Sequence, residues 1–88
     1  MAKKTDVYSE TTDITLSKGI DIDGARVQTI TMREPTVADQ LAVDGIKGNA
    51  LREITFFANL CDLTPDDIKQ LPLRDYRKLA EAFEGFTE

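Results

Sequence analysis

The sequence predicts an α+β fold, in which an N-terminal two-stranded antiparallel β-hairpin is followed by three to four short α-helices. Two observations predict this fold class. Before residue 34 apolar and polar residues alternate, as they do in a half-buried strand, and after residue 36 apolar residues recur at helical spacing. The change falls at Pro35, because a proline disfavours the helical conformation for the residue before it, here Glu34.

The hairpin is predicted over residues 13–33. The apolar residues of its first strand share one parity: Ile14, Leu16, Ile20 and Ile22. Asp23-Gly24 follows them and is typical of a type I′ turn, which needs two residues that tolerate positive φ. A two-stranded hairpin is only marginally stable in water, so its apolar face must be covered either by the helices that follow or by a strand from another copy.

Two positions complicate the hairpin. Gly19 is a point at which the first strand could kink. In the second strand, Ile30 and Met32 share a parity that Val27 does not. Val27 therefore faces the opposite side of the sheet, unless a bulge shifts the register.

The C-terminal part is predicted to form helices over about residues 36–44, 49–61, 65–71 and 73–84. Thr36 and Asp39 are spaced as in a capping box. Thr64 is predicted to be an N-cap, with Pro65 at the first helical position. Asn49 is expected to cap the second helix, and Gly85 is expected to end the last one.

Apolar spacing also predicts which residues lie on the apolar sides of the helices. Val37 and Leu41, together with Val43 and Ile46, define the apolar side of the first helix. In the second helix the stripe contains Leu51, Ile54, Phe57, Ala58 and Cys61. Phe56 lies about 100° from Phe57 around the helix, so it is either an edge-of-core residue or part of an exposed patch.

Length, charge and composition exclude several classes of protein. The 88 residues are enough for one domain, predicted over 13–88 after a flexible N-terminal arm at 1–12, and its thin core suggests self-association as a homo-oligomer. A net charge of −5 argues against nucleic acid as the main partner. No apolar run is long enough to span a membrane and no signal peptide is visible, so we expect a cytosolic protein.

The residues that carry chemistry predict no enzyme. Histidine is missing and Cys61 is the only cysteine, so no familiar catalytic pair, cofactor site or zinc site is expected. Asp62, Asp66 and Asp67 resemble a metal cluster, but helix capping explains them more simply. The alternative function is a small nucleic-acid-binding or transcriptional regulator that uses the C-terminal helices, whose cations cluster at Arg74, Arg77 and Lys78.

Three short runs, in this order and spacing, point to a known family: Ile14-Thr15-Leu16-Ser17-Lys18, Ile22-Asp23-Gly24, and Thr31-Met32-Arg33-Glu34-Pro35-Thr36 with Asp39. The chain resembles the tail assembly chaperones of contractile-tailed bacteriophages over about residues 13–83. In that family a Leu-Arg-Glu-Pro-like signature ends the second strand, and here Met32 stands where Leu is common. Leu71-Pro72-Leu73, Asp75 and Leu79 resemble the family's C-terminal helix.

The resemblance implies a non-catalytic factor that binds the tape measure protein and helps tail tube subunits assemble around it. It also implies a host cytoplasmic protein that is absent from the mature virion, and a longer form of the chain made by ribosomal frameshifting.

Four residues are candidates for protein contact: Arg33, Glu34, Phe56 and Phe86. Arg33 and Glu34 are candidates because local structure is expected to require neither of them. Phe86 lies beyond Gly85 and either contacts a partner or packs back on the last helix.

Overall fold

The computed structural model describes residues 10–88 and confirms the predicted fold class of a β-hairpin followed by helices. In chain order the elements are β1 (Thr11–Ile22), β2 (Ala25–Arg33), α1 (Val37–Ala42), α2 (Asn49–Leu60), α3 (Pro65–Lys69) and α4 (Leu73–Phe86). The two strands form one antiparallel sheet. One face of this sheet packs on the helices, so the chain's own helices cover the apolar side of the hairpin.

The strand β1 begins earlier than predicted. Thr11 pairs with Arg33, and the Glu34 N–H donates to the Glu10 carbonyl at 2.8 Å. The prediction of a flexible arm is therefore wrong for Thr11 and Thr12, because β2 is long enough to pair with them. The rest of that prediction concerns residues 1–9, which lie outside the described residues.

Local turn and capping chemistry accounts for most of the element boundaries. Asp23 and Gly24 have φ values of 51° and 84°, which confirms a turn with positive φ at both central residues. Thr36 forms a capping box with Asp39, as their spacing predicts. Thr64 is the N-cap of α3, as predicted, and it forms a second capping box with Asp67.

Two predicted helix ends are wrong. Gly48, not Asn49, is the N-cap of α2, with a φ of 89°, and the Asn49 side chain instead accepts a hydrogen bond from Arg52 at 3.0 Å. Gly85 does not end α4, which continues to Phe86. Phe86 packs against the core, and this contact holds the last turn against the modest cost of a helical glycine.

The register of the hairpin breaks between Thr15 and Ile20. The β1 residues 16–19 lie opposite Gln28 alone, and on either side Thr15 pairs with Thr29 and Ile20 with Val27. This irregularity settles the position of Val27, which lies opposite the buried Ile20 and is itself half-buried. A glycine suits position 19 because an added Cβ would lie 3.2 Å from the Val27 carbonyl oxygen, which is a tight contact.

The broken segment of β1 is held by a buried carboxylate from the first turn of α4. Asp75 accepts hydrogen bonds from the N–H and hydroxyl of Ser17 at 2.9 and 3.0 Å and from the N–H of Lys18 at 3.3 Å. Lys78 lies 3.4 Å from the same carboxylate and also donates to the Thr15 carbonyl at 2.8 Å. We call these contacts the Asp75 network.

Asp75 is 0% exposed, so its charge must be stabilised inside the protein. Burial by itself would raise the pKa of this carboxyl group. The hydrogen bonds from Ser17, Lys78 and Lys18 outweigh burial and hold the pKa below its usual value. Asp75 therefore stays ionised and fixes α4 against β1.

A second contact covers the same edge of β1. The side-chain amide of Gln70, at the end of α3, accepts from the Asp21 N–H at 3.0 Å and donates to the Asp21 carbonyl at 2.8 Å. Gln70 thus pairs with β1 as a neighbouring strand would. Together with the Asp75 network, it satisfies backbone groups that an edge strand would otherwise leave exposed.

The core lies between the sheet and the helices α2, α3 and α4. Its buried apolar residues are Ile14, Leu16, Ile20, Ile30, Met32, Val43, Phe56, Phe57, Ala58, Leu60, Cys61, Ile68 and Leu79. Burial of Phe57, Ala58 and Cys61 agrees with the stripe predicted for α2, but the prediction is wrong for Leu51, which lies in the first turn and is 45% exposed.

We expect Asp75→Asn to lower the free energy of unfolding by about 3 kcal/mol, because the new amide group would face N–H donors and the buried charge pair would be lost. Urea denaturation at neutral pH measures this change. The matched control is Asp66→Asn, because Asp66 is exposed and pairs with Lys69 on its own helix at 3.4 Å, so little change is expected. Equal losses in the two variants would show that the Asp75 network does not hold the fold.

Candidate protein-binding groove

The helix α1 turns its apolar residues toward solvent. Val37 and Leu41 are 72% and 70% exposed, and among the described residues none of the six in α1 is buried. The apolar spacing that predicts this helix therefore does not place these two residues in the core. Val43 and Ile46, which follow the helix, pack in the core instead. A segment this short cannot bury both this pair and the pair Val37 and Leu41.

A groove with a volume of about 660 Å³ lies beside this exposed face, between α1, α2 and α4. Val37 and Leu41 form one wall, and Ala80 and Phe83 of α4 form the other. Phe56 and Phe57 of α2 line the groove between them. We refer to this surface as the α1–α2–α4 groove.

Aromatic packing makes the floor of the groove rigid. The rings of Phe56 and Phe83 meet edge to face with centroids 5.4 Å apart, and Phe57 lies 5.9 Å from Phe83 and 5.7 Å from Tyr76. Contacts of this geometry stabilise more than the buried area alone. Any group that binds the groove therefore meets a fixed aromatic surface.

The edges of the groove are mainly acidic. Of the described residues that line it, Asp44, Glu53 and Glu84 carry negative charge and Arg52 carries positive charge, a formal balance of −2 from three carboxylates and one guanidinium. Arg52 is turned toward the backbone, since its guanidinium donates to the Ile46 carbonyl at 2.9 and 3.2 Å. The carboxylates are the more exposed groups.

Glu53 is fixed at the groove by a hydrogen bond across the helices. The Tyr76 hydroxyl donates to its carboxylate at 2.6 Å. Burial, reinforced by the carboxylate of Glu53, raises the pKa of the Tyr76 hydroxyl above its usual value. Tyr76 thus remains a neutral donor that links α4 to the acidic edge on α2.

The position of α1 depends on an ion pair at the joint between β2 and the helix. Both nitrogens of the Arg33 fork donate to the Asp39 carboxylate, at 2.7 and 2.8 Å. This bidentate pair, with added hydrogen bonds from Thr36, holds the pKa of Asp39 well below its usual value. The expectation that local structure does not require Arg33 is therefore wrong.

The four predicted contact residues do not form one surface. Phe56 is buried and lines the α1–α2–α4 groove. Arg33 lies at the base of α1, Glu34 is exposed beside it, and Phe86 packs against the core at the far end of α4. Their role in protein contact stays a prediction.

The sequence reasoning missed Val37 and Leu41 as surface residues. The sequence contains a signal that one apolar pair would be exposed, because Val43 and Ile46 follow Val37 and Leu41 closely and compete for the same space in the core.

Most of the predicted cation cluster on α4 contacts residues of β1. Arg74 donates to the Ser17 hydroxyl at 2.7 Å, and Lys78 belongs to the Asp75 network. Arg77 is exposed. Two of the three cations thus serve the hairpin, and no observation favours a nucleic-acid surface here.

Cys61 is buried, and burial raises the pKa of its thiol to about 12. The thiol is therefore protonated near neutral pH and is a poor nucleophile. Within residues 10–88, the side chains form no group of three or more that could hold a metal ion. None of the helices described over the same range is long and apolar enough to cross a membrane.

Comparison with known families assigns the chain to a class. A model for phage tail assembly chaperones matches residues 13–88, so the chain belongs to that family, as its sequence resemblance predicts. The family is described in full as phage tail assembly chaperone proteins, E, or 41 or 14. Searches of curated proteins and of solved structures found no match.

The Arg33–Asp39 pair predicts a loss of stability in acid. Because the folded state binds the Asp39 proton less readily than the unfolded state, this pair stabilises the protein above the unfolded pKa of about 3.9. Its contribution should fall progressively as pH drops below about 5. Denaturation between neutral and acidic pH should show a weaker pH dependence for Asp39→Asn than for the wild type. An unchanged slope would mean that the pair does not contribute.

Proposed function

We propose that this chain is a non-catalytic phage tail assembly chaperone that binds the tape measure protein through the α1–α2–α4 groove. By covering apolar segments of that protein, it assists assembly of tail tube subunits around it. The chaperone acts in the cytoplasm of the bacterial host and leaves before the virion is mature. A longer form of the chain, made by frameshifting, is a further expected partner. We also expect the chain to associate with itself as a homo-oligomer.

The observation that carries this proposal is the exposed pair Val37 and Leu41 beside the aromatic floor. An exposed apolar surface bounded by polar residues is typical of a protein-binding site. Full burial of one such side chain contributes about 1.5–3 kcal/mol. A client that covers Val37 and Leu41 and packs against Phe56 and Phe83 therefore gains a useful part of its free energy of binding from this contact.

The surrounding charge suits a chaperone that must itself stay in solution. The chain carries a net charge of −5, and the groove has carboxylates at its edges. Like charges disfavour association of two copies through their empty grooves.

Co-expression with the tape measure protein of the same phage tests the proposal. We expect a larger soluble fraction of that protein and a complex that elutes together in gel filtration. The control is co-expression with an unrelated protein that is prone to aggregation, whose solubility should not change. If the tape measure protein stays insoluble and no complex elutes, the proposed function is wrong.

A further inference from the structure

We infer that the α1–α2–α4 groove takes an amphipathic helix whose apolar stripe is flanked by Lys or Arg. This inference rests on the proposed function and defines the chemistry of the client segment. It follows from the spacing of the wall residues, the open shape of the groove and the charge at its edges.

The wall residues have the spacing that a helix recognises. Val37 and Leu41 are four residues apart and lie on one face of α1, so they present a short apolar ridge. Ala80 and Phe83 present a matching ridge on α4, three residues apart. Helices that bind in grooves place apolar residues at such i, i+3 and i+4 positions.

The shape of the site favours a helix over a small molecule. A small-molecule pocket surrounds its ligand and shields the side chains that line it. Here the walls are two short helical faces, and Val37 and Leu41 remain about 70% exposed. Such a site can bind only one face of a longer helical segment, and the opposite face of that segment stays in water.

The charges select a basic helix. Glu53 lies on α2, Glu84 lies near the end of α4, and Asp44 lies in the segment that follows α1. Carboxylates therefore border the groove on three sides, although that of Glu53 also accepts a hydrogen bond from Tyr76. Arg52, the one cation among the described lining residues, is held against the Ile46 carbonyl. Lys and Arg beside the apolar stripe of a client would complement these carboxylates and would speed association.

The same charges disfavour a second copy as occupant. Two copies that met groove to groove would bring like carboxylates together across the interface, which costs free energy.

The experiment uses two synthetic helical peptides of about 15 residues, roughly four turns, with the same apolar stripe. One carries Lys beside the stripe and the other carries Glu. We expect the chain to bind the Lys peptide about tenfold or more tightly than the Glu peptide at low salt, by fluorescence anisotropy. This preference should shrink as salt is raised, because screening weakens the charge contacts.

Matched variants locate the binding site. Leu41→Gln should weaken Lys-peptide binding about tenfold, whereas Leu73→Gln should not, because Leu73 is 71% exposed but lies outside the groove. The double variant Asp44→Lys with Glu84→Lys should reverse the preference between the peptides. Lys near the end of α4 also suits the helix dipole, so this variant should fold, as circular dichroism would verify.

Several results would overturn the inference. One is equal binding of the two peptides, and another is equal loss in the Leu41 and Leu73 variants. A dimer of the free chain that Leu41→Gln dissociates would identify a second copy as the occupant. Much tighter peptide binding after removal of residues 2–9 would identify the chain's own N-terminal segment as the occupant.

Binding assays with the tape measure protein distinguish this inference from the proposed function. If that protein forms the complex equally well with the wild type and with Leu41→Gln, the chaperone role stands, but the groove is not the site of binding. If the wild type binds the Lys peptide through the groove but not the tape measure protein, the inference about the groove stands and the proposed function is wrong.

Discussion

The structure depends on one buried charge, the carboxylate of Asp75. The hairpin alone would be marginally stable, and its register breaks between Thr15 and Ile20. Within this break Asp75 accepts the backbone N–H groups of Ser17 and Lys18, and thereby ties the hairpin to α4. Burying a carboxylate is costly, but several donors and the ammonium group of Lys78 offset the cost. The irregular strand and the helix therefore stabilise each other.

The two walls of the groove are positioned by the same hairpin through separate contacts. The Asp75 network fixes α4 against the middle of β1, and the Arg33–Asp39 pair fixes α1 at the end of β2. The floor of the groove, formed by Phe56 and Phe57, packs into the core between them. The small sheet thus acts as the scaffold, and the helices line the groove. Membership of the phage tail assembly chaperone family supports a role in contact with tail proteins.

Sequence reasoning predicts the parts of this structure that depend on local chemistry. The turn at Asp23-Gly24, the capping boxes and the helical stripe of α2 each involve residues a few positions apart, whose preferences tertiary contacts did not override. The Asp75 network joins residues 58 positions apart, which no local pattern reveals. The outward orientation of α1 depends on which of two apolar pairs enters the core. That competition is decided by three-dimensional packing, so the candidate site was largely missed.

The shallow attachment of α1 has a consequence for how the groove operates. With no buried side chain among its six residues, α1 is held mainly by its capping box and one ion pair at its first turn. Elements with so few buried contacts open at a small fraction of the free energy of global unfolding. In the proposed binding mode, a local movement of α1 would admit or release a client helix while the rest of the chain stays folded.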